Sequence, residues 1–192
     1  EKIKVFRRWI NTDLFKPDGS ARERINENLK LSGGYLLLYT GRISRDKNVD
    51  LLIDCIDRLR REEEEVNLLF IGDGPYFEEF SKKVSDRPYV IMTGTKQRKD
   101  LPEYYAAADI FVFPSETDTF GMSVLEAQAC GAVCLVSNTG GPQEIIIDRE
   151  SGFILNSTVD AWKEKILKII DMIENDPDEF LKMKERARNN AK

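Results

Sequence analysis

Six short apolar segments, each followed by a turn and then a helical pattern, recur along this chain. They lie at 35–40, 66–71, 89–92, 110–113, 132–136 and 152–155. Between and after them, apolar residues fall at helical spacing over 48–61, 76–84, 101–108, 120–130, 158–174 and 177–190, with a shorter polar helix at 21–29. Apolar runs of this length, without polar alternation, are the pattern of parallel strands buried on both faces. The expected class is α/β: a Rossmann-like, doubly wound parallel sheet with helices on both faces. In such sheets ligands bind beyond the carboxyl ends of the strands. The chemically suggestive residues cluster there: Gly41-Arg42, Gly72-Asp73-Gly74, Gly94-Thr95-Lys96, and the stretch from Ser115 to Gly121.

Composition narrows the function. The 192 residues suffice for one sizeable α/β core. A net charge of −5 gives no nucleic-acid footprint, and the short basic runs, such as Lys96-Gln97-Arg98-Lys99, read as solvated faces. There are no histidines, which removes Ser-His-Asp and Cys-His catalytic units and histidine-based metal sites. Cys55, Cys130 and Cys134 sit in or beside apolar runs and read as buried free thiols of a reducing compartment, with nothing to complete a metal site. No apolar run has the length of a membrane span, and no signal-peptide pattern is present. The chain begins at Glu1 without an initiator Met and reads as an excerpt of a longer protein.

The stretch 113–131 is the most informative. A strand ends at Pro114, Gly121 supplies a turn, and a helical pattern carries Glu126. Asp118 sits at the expected helix entrance, where free N–H groups and a partial positive charge suit a phosphate. If the eight residues to Glu126 were all helical, the two carboxylates would stand roughly 12 Å apart. That is too far for an acid/base pair on one bond, but suits two ends of a long polyhydroxylated ligand. Asp118 as a simple helix cap and Glu126 as an exposed helical residue are the structural alternatives. Small apolar neighbours, Val124, Leu125, Ala127 and Ala129, argue against the second.

Gly41-Arg42-Ile43-Ser44-Arg45-Asp46-Lys47-Asn48 follows the first central strand, and Arg42 with Lys47 can converge on a diphosphate. A solvated loop with a helix start at Asp46 or Asn48 is the alternative. Gly72-Asp73-Gly74-Pro75-Tyr76-Phe77 resembles a dinucleotide turn only in part, because Phe77 stands where the third glycine belongs. A tight strand-to-helix turn, with Pro75 in the first helical turn, fits better. No P-loop is present. Gly140-Gly141-Pro142-Gln143-Glu144 reads as a turn and a helix start.

Taken together these pieces, with Asn11-Thr12-Asp13-Leu14-Phe15-Lys16-Pro17, Ala107-Ala108-Asp109 and Ser151-Gly152-Phe153, resemble the C-terminal, donor-binding domain of a GT-B-fold glycosyltransferase of family four (group 1), the large retaining family. The matching pieces span about residues 10–155. The resemblance implies that residues 1–17 are an interdomain linker with a leading strand, and that 18–192 form the nucleotide-sugar-binding domain. It implies transfer of a hexose from a UDP-, GDP- or ADP-sugar to an acceptor hydroxyl with retention. No cofactor and no metal are expected. The implied partners are the donor, a missing N-terminal GT-B domain, and a carbohydrate, lipid or small-molecule acceptor, without nucleic acid. The expected location is cytoplasmic, membrane-peripheral at most.

Residue by residue, Arg42 and Lys47 match the family's diphosphate pair, and Glu126 the acid that bonds the ribose hydroxyls. Asp118 stands where the first Glu of the Glu-x7-Glu motif belongs, one methylene shorter, beside the donor sugar. Arg42, Lys47 and Asp118 are the expected catalytic residues. Gly41, Gly72, Thr95, Lys96, Thr119, Phe120, Gly121 and Met122 complete the expected donor site, with backbone N–H groups of 120–122 facing sugar and phosphates. Alone, the chain is expected to bind donor weakly and transfer nothing. The rival readings are a non-catalytic nucleotide-sugar-binding module, and a related GT-B epimerase or phosphorylase.

Overall fold

The computed structural model of the chain describes residues 10–31 and 33–192. Helix α1 (Ala21–Leu29) leads into strand β1 (Tyr35–Thr40), a 3₁₀ turn (Arg45–Lys47) and α2 (Val49–Arg61). Then come β2 (Val66–Ile71), α3 (Phe77–Lys83), β3 (Val90–Met92), α4 (Leu101–Ala107) and β4 (Ile110–Phe113). Helix α5 (Met122–Ala129), β5 (Val133–Ser137), a second 3₁₀ turn (Gly141–Glu144), β6 (Gly152–Leu155), α6 (Val159–Asn175) and α7 (Pro177–Asn190) follow.

The strands form one parallel sheet in the order β3-β2-β1-β4-β5-β6. This is the Rossmann-like α/β arrangement that the sequence predicts. Strands β2, β4 and β5 are buried at every residue, which explains why they lack polar alternation. Helices α1, α4, α5 and α7 pack in succession, and α6 packs on both α7 and α2. In the core the Tyr39 ring stacks on Phe113, with centroids 5.8 Å apart. Strand order reverses between β1 and β4, and a crevice opens beyond their carboxyl ends.

Three local expectations change. Helix α5 begins at Met122, not at residue 120, so Asp118 lies in the loop before the helix and does not cap it. The cap position is Gly121, whose φ of +90° is left-handed. Helix α3 begins at Phe77, and Pro75 precedes the Tyr76 cap instead of sitting in the first turn. Of the linker and leading strand expected at 1–17, residues 1–9 lie outside the described residues; residues 10–17 carry turns and no strand, and Ile10 and Phe15 are buried in the core. The three cysteines are buried free thiols.

Candidate functional site

The loops after β1, β2 and β4 meet at the strand-order reversal and enclose a cleft of about 650 Å³. Close backbone approach makes this possible. A Cβ on Gly72 would stand 1.8 Å from the Gly41 carbonyl oxygen, so glycine is required where the β1 and β2 loops touch. Gly121, Met122 and Ser123 at the start of α5 line the cleft, and an α-helix start carries N–H groups without intrahelical partners.

One end of the cleft is a charge cluster. Lys47 is only 8% exposed, held there by the 3₁₀ turn that precedes α2. Its Nζ donates to Asp118 Oδ2 at 2.8 Å and to Thr117 Oγ1 at 3.1 Å, and lies 3.6 Å from Asp46 Oδ2. Arg42 is exposed and donates to Asp46 Oδ2 at 3.0 Å. The Ser44 hydroxyl first, joined by Thr117 and the charges of Arg42 and Lys47, holds the Asp46 carboxyl down at about 2 despite a sizeable upward push from desolvation. Two cations and two carboxylates thus neutralise one another at this end of the cleft. An anion entering this end would compete for Lys47 and Arg42 with Asp118 and Asp46.

The other end holds Glu126, 5% exposed on α5. The Tyr105 hydroxyl on α4 donates to its Oε2 at 3.0 Å, and Arg98 pairs with its Oε1 at 3.0 Å. Burial pushes the Glu126 pKa up; Tyr105 and Arg98 oppose that push without cancelling it. Tyr105 itself is pushed well above the usual phenol range, by burial first and by the Glu126 charge second, so it stays a donor. Its hydroxyl also lies 2.7 Å from Thr40 Oγ1, at the end of β1.

Of the residues singled out from the sequence, Gly41, Arg42, Lys47, Gly72, Thr95, Lys96, Asp118, Gly121, Met122 and Glu126 line this one cleft. Thr119 and Phe120 do not; the Thr119 backbone packs against Gly141, where a Cβ would meet its carbonyl oxygen at 2.1 Å. The sequence reading missed Tyr105, Arg98, Asp46 and Thr117. Tyr105 sits in an apolar helical pattern and reads as core. Arg98 lies in a basic run read as a solvated face, yet it reaches Glu126. Asp46 lay in plain view between Arg42 and Lys47 and was taken only for a helix start.

A family model described as "Glycosyl transferases group 1" matches residues 20–192. The sulfoquinovosyl transferase SQD2 of Arabidopsis thaliana is 33% identical over 162 residues, covering 81% of this chain and 30% of that protein. A GDP-mannose-dependent alpha-(1-6)-phosphatidylinositol monomannoside mannosyltransferase of Mycolicibacterium smegmatis is 32% identical over 163 residues, covering 79% of this chain and 43% of that protein. Among solved structures, Anabaena HepE in complex with UDP and glucose superposes with a TM-score of 0.84 at 21% identity, covering 98% of this chain and 51% of that one. The chain therefore spans less than half the length of these two curated relatives.

Proposed function

The chain belongs to the group 1 glycosyltransferases, and from that premise we propose that it is the donor-binding half of a GT-B enzyme that moves a hexose from a nucleoside diphosphate sugar to an acceptor hydroxyl with retention. One observation carries the reading. A single cleft brings a cationic pair, Arg42 and Lys47, together with a buried carboxylate, Glu126, beyond the strand ends of a Rossmann-like sheet. Cations suit the diphosphate, and a carboxylate that accepts hydrogen bonds suits a ribose diol.

The chemical difficulty of such a transfer is charge building on the leaving diphosphate. Arg42, Lys47 and the start of α5 would meet that charge electrostatically, a role that calls on no metal or cofactor. Asp118, paired with Lys47 in the loop before α5, would lie beside the donor sugar. Thr95 and Lys96 would border the base. Thr119 and Phe120 would act only by shaping the loop, since neither lines the cleft.

One relative is a GDP-mannose-dependent mannosyltransferase, and the HepE structures contain UDP or UDP-glucose, so both bases belong in the test. Titration of the chain with UDP, GDP and ADP, and then with their sugars, should show selective binding of one diphosphate, lost in Glu126→Ala. Binding that Glu126→Ala leaves intact would defeat the ribose assignment. Transfer should be absent with the chain alone and appear once an N-terminal GT-B domain supplies the acceptor site; product analysis would then separate a glycoside from an epimer or a sugar phosphate. The acceptor is a carbohydrate, lipid or small-molecule hydroxyl, and the reading places the enzyme in the cytoplasm, consistent with its free buried thiols. Among the described residues no helix is long and apolar enough to cross a membrane.

A further inference from the structure

Glu126 is a buried carboxylate with two different partners, one fixed and one exchangeable. Tyr105 is 1% exposed, and its ring sits 5.6 Å from Phe111 and 6.0 Å from Phe15, centroid to centroid. Its single proton goes to Glu126 Oε2, so the Thr40 hydroxyl at 2.7 Å is left to donate to Tyr105. A one-way chain, Thr40 to Tyr105 to Glu126, therefore links the end of β1, next to the phosphate loop, with the carboxylate on α5. Hydrogen bonds in such buried chains polarise one another. Arg98 is different. Its side chain is 63% exposed, and besides Glu126 it makes a loose contact over the Phe15 ring, 5.3 Å from the centroid.

We propose that Tyr105 is the positioning residue of this site: its hydroxyl fixes Oε2 of Glu126 and leaves Oε1 to the ribose hydroxyls, with Arg98 as the partner that steps aside. The proposal rests on the reading of Glu126 as the ribose-binding acid. An ionised Glu126 is the far stronger acceptor for the hydroxyls of a diol, and burial works against ionisation. The groups that face the carboxylate are Tyr105 from α4 and Arg98 from the loop before it. The buried Cys130 thiol lies one turn on in its own helix, and Lys96 of the same loop lies over the Tyr104 ring instead. Removing the Tyr105 hydroxyl leaves the exposed Arg98 pair as the main stabiliser of the charge, and an exposed pair stabilises little. Glu126 then protonates at higher pH.

The test is the ¹³C-carboxyl NMR titration of Glu126 in the ligand-free protein, beside binding of the tightest nucleoside diphosphate across pH 5–8. In Tyr105→Phe the carboxyl midpoint should rise by about one pH unit, and the acid limb of binding should rise with it. Thr40→Val should move both in the same direction by less, and it carries the test if Tyr105→Phe does not fold. Inorganic pyrophosphate, held by Arg42 and Lys47, should bind each variant as it binds the wild type. An unmoved carboxyl midpoint overturns the proposal, as does a parallel loss of pyrophosphate, which would mark a merely structural role. A midpoint that moves while the binding limb stays put removes Glu126 from the nucleotide site, and the underlying reading falls together with the proposal.

Discussion

Lys47 shows how much of this site is set by competition between neighbours. Its ammonium is almost buried and donates to both Asp118 and Thr117. A diphosphate that takes over Lys47 must therefore break a part-buried ion pair and bring its own negative charge up to Asp118. Removing the Asp118 charge should ease both. In Asp118→Asn the affinity for the preferred nucleoside diphosphate should rise about 3- to 10-fold, the scale of one modest ion pair. Sugar transfer by the complete enzyme should fall at the same time, because the carboxylate proposed to stand beside the sugar is gone. Calorimetric titration decides it, with Lys47→Ala as the control that loses affinity. Weaker binding in Asp118→Asn would show Asp118 to be a ligand contact and not a competitor. The shorter Asp thus matters for its pairing as well as its reach: it meets Lys47 Nζ at 2.8 Å.

At the scale of elements, the start of α5 is the delicate point. Gly121 caps the helix at φ +90°, and a Cβ there would meet Pro142 Cγ at 2.9 Å. Gly121→Ala combines left-handed strain with a clash against a ring that cannot rotate away, so it should cost about 2–4 kcal/mol. A urea midpoint lowered without a change in slope would be the signature; wild-type stability would mean that the loop relaxes freely. The same position explains where the sequence misleads. Strands at 35–40, 66–71, 110–113 and 152–155 are legible to the residue, since buried parallel strands are apolar throughout and glycine or proline closes most of them. The helix start is not legible, because Gly121 fits either a turn or a helical position until its φ is known. The site divides likewise. Arg42, Lys47 and Glu126 are legible because charge is conspicuous at strand ends and among small apolar residues. Tyr105 and Arg98 are not, because only the tertiary path of the 93–101 segment brings them to Glu126.

At the scale of the whole chain, α7 ties distant segments together, and that tie reaches the site. Arg188 of α7 donates to the carbonyls of Thr12, Phe15 and Ala129, tying the 12–15 segment to the end of α5. Phe15, anchored this way, lies against Tyr105 and under Arg98, the two side chains that hold Glu126. Cutting the tie should act twice. Arg188→Met keeps much of the apolar stem but leaves three carbonyls without their donor, a loss of about 2–4 kcal/mol. Arg188→Lys restores the charge without the planar fork that serves several acceptors, so it should recover less than half of that loss. Loosening of Phe15 should also weaken nucleoside diphosphate binding several-fold, although Arg188 touches nothing in the cleft. Urea unfolding and titration of the same two variants test both effects. Lost stability with unchanged affinity would confine Arg188 to holding the fold and would separate the 12–15 segment from the nucleotide site. Loss of both, graded from Lys to Met, would make that segment a mechanical part of the site, so that strain arriving from the preceding chain is felt at Glu126.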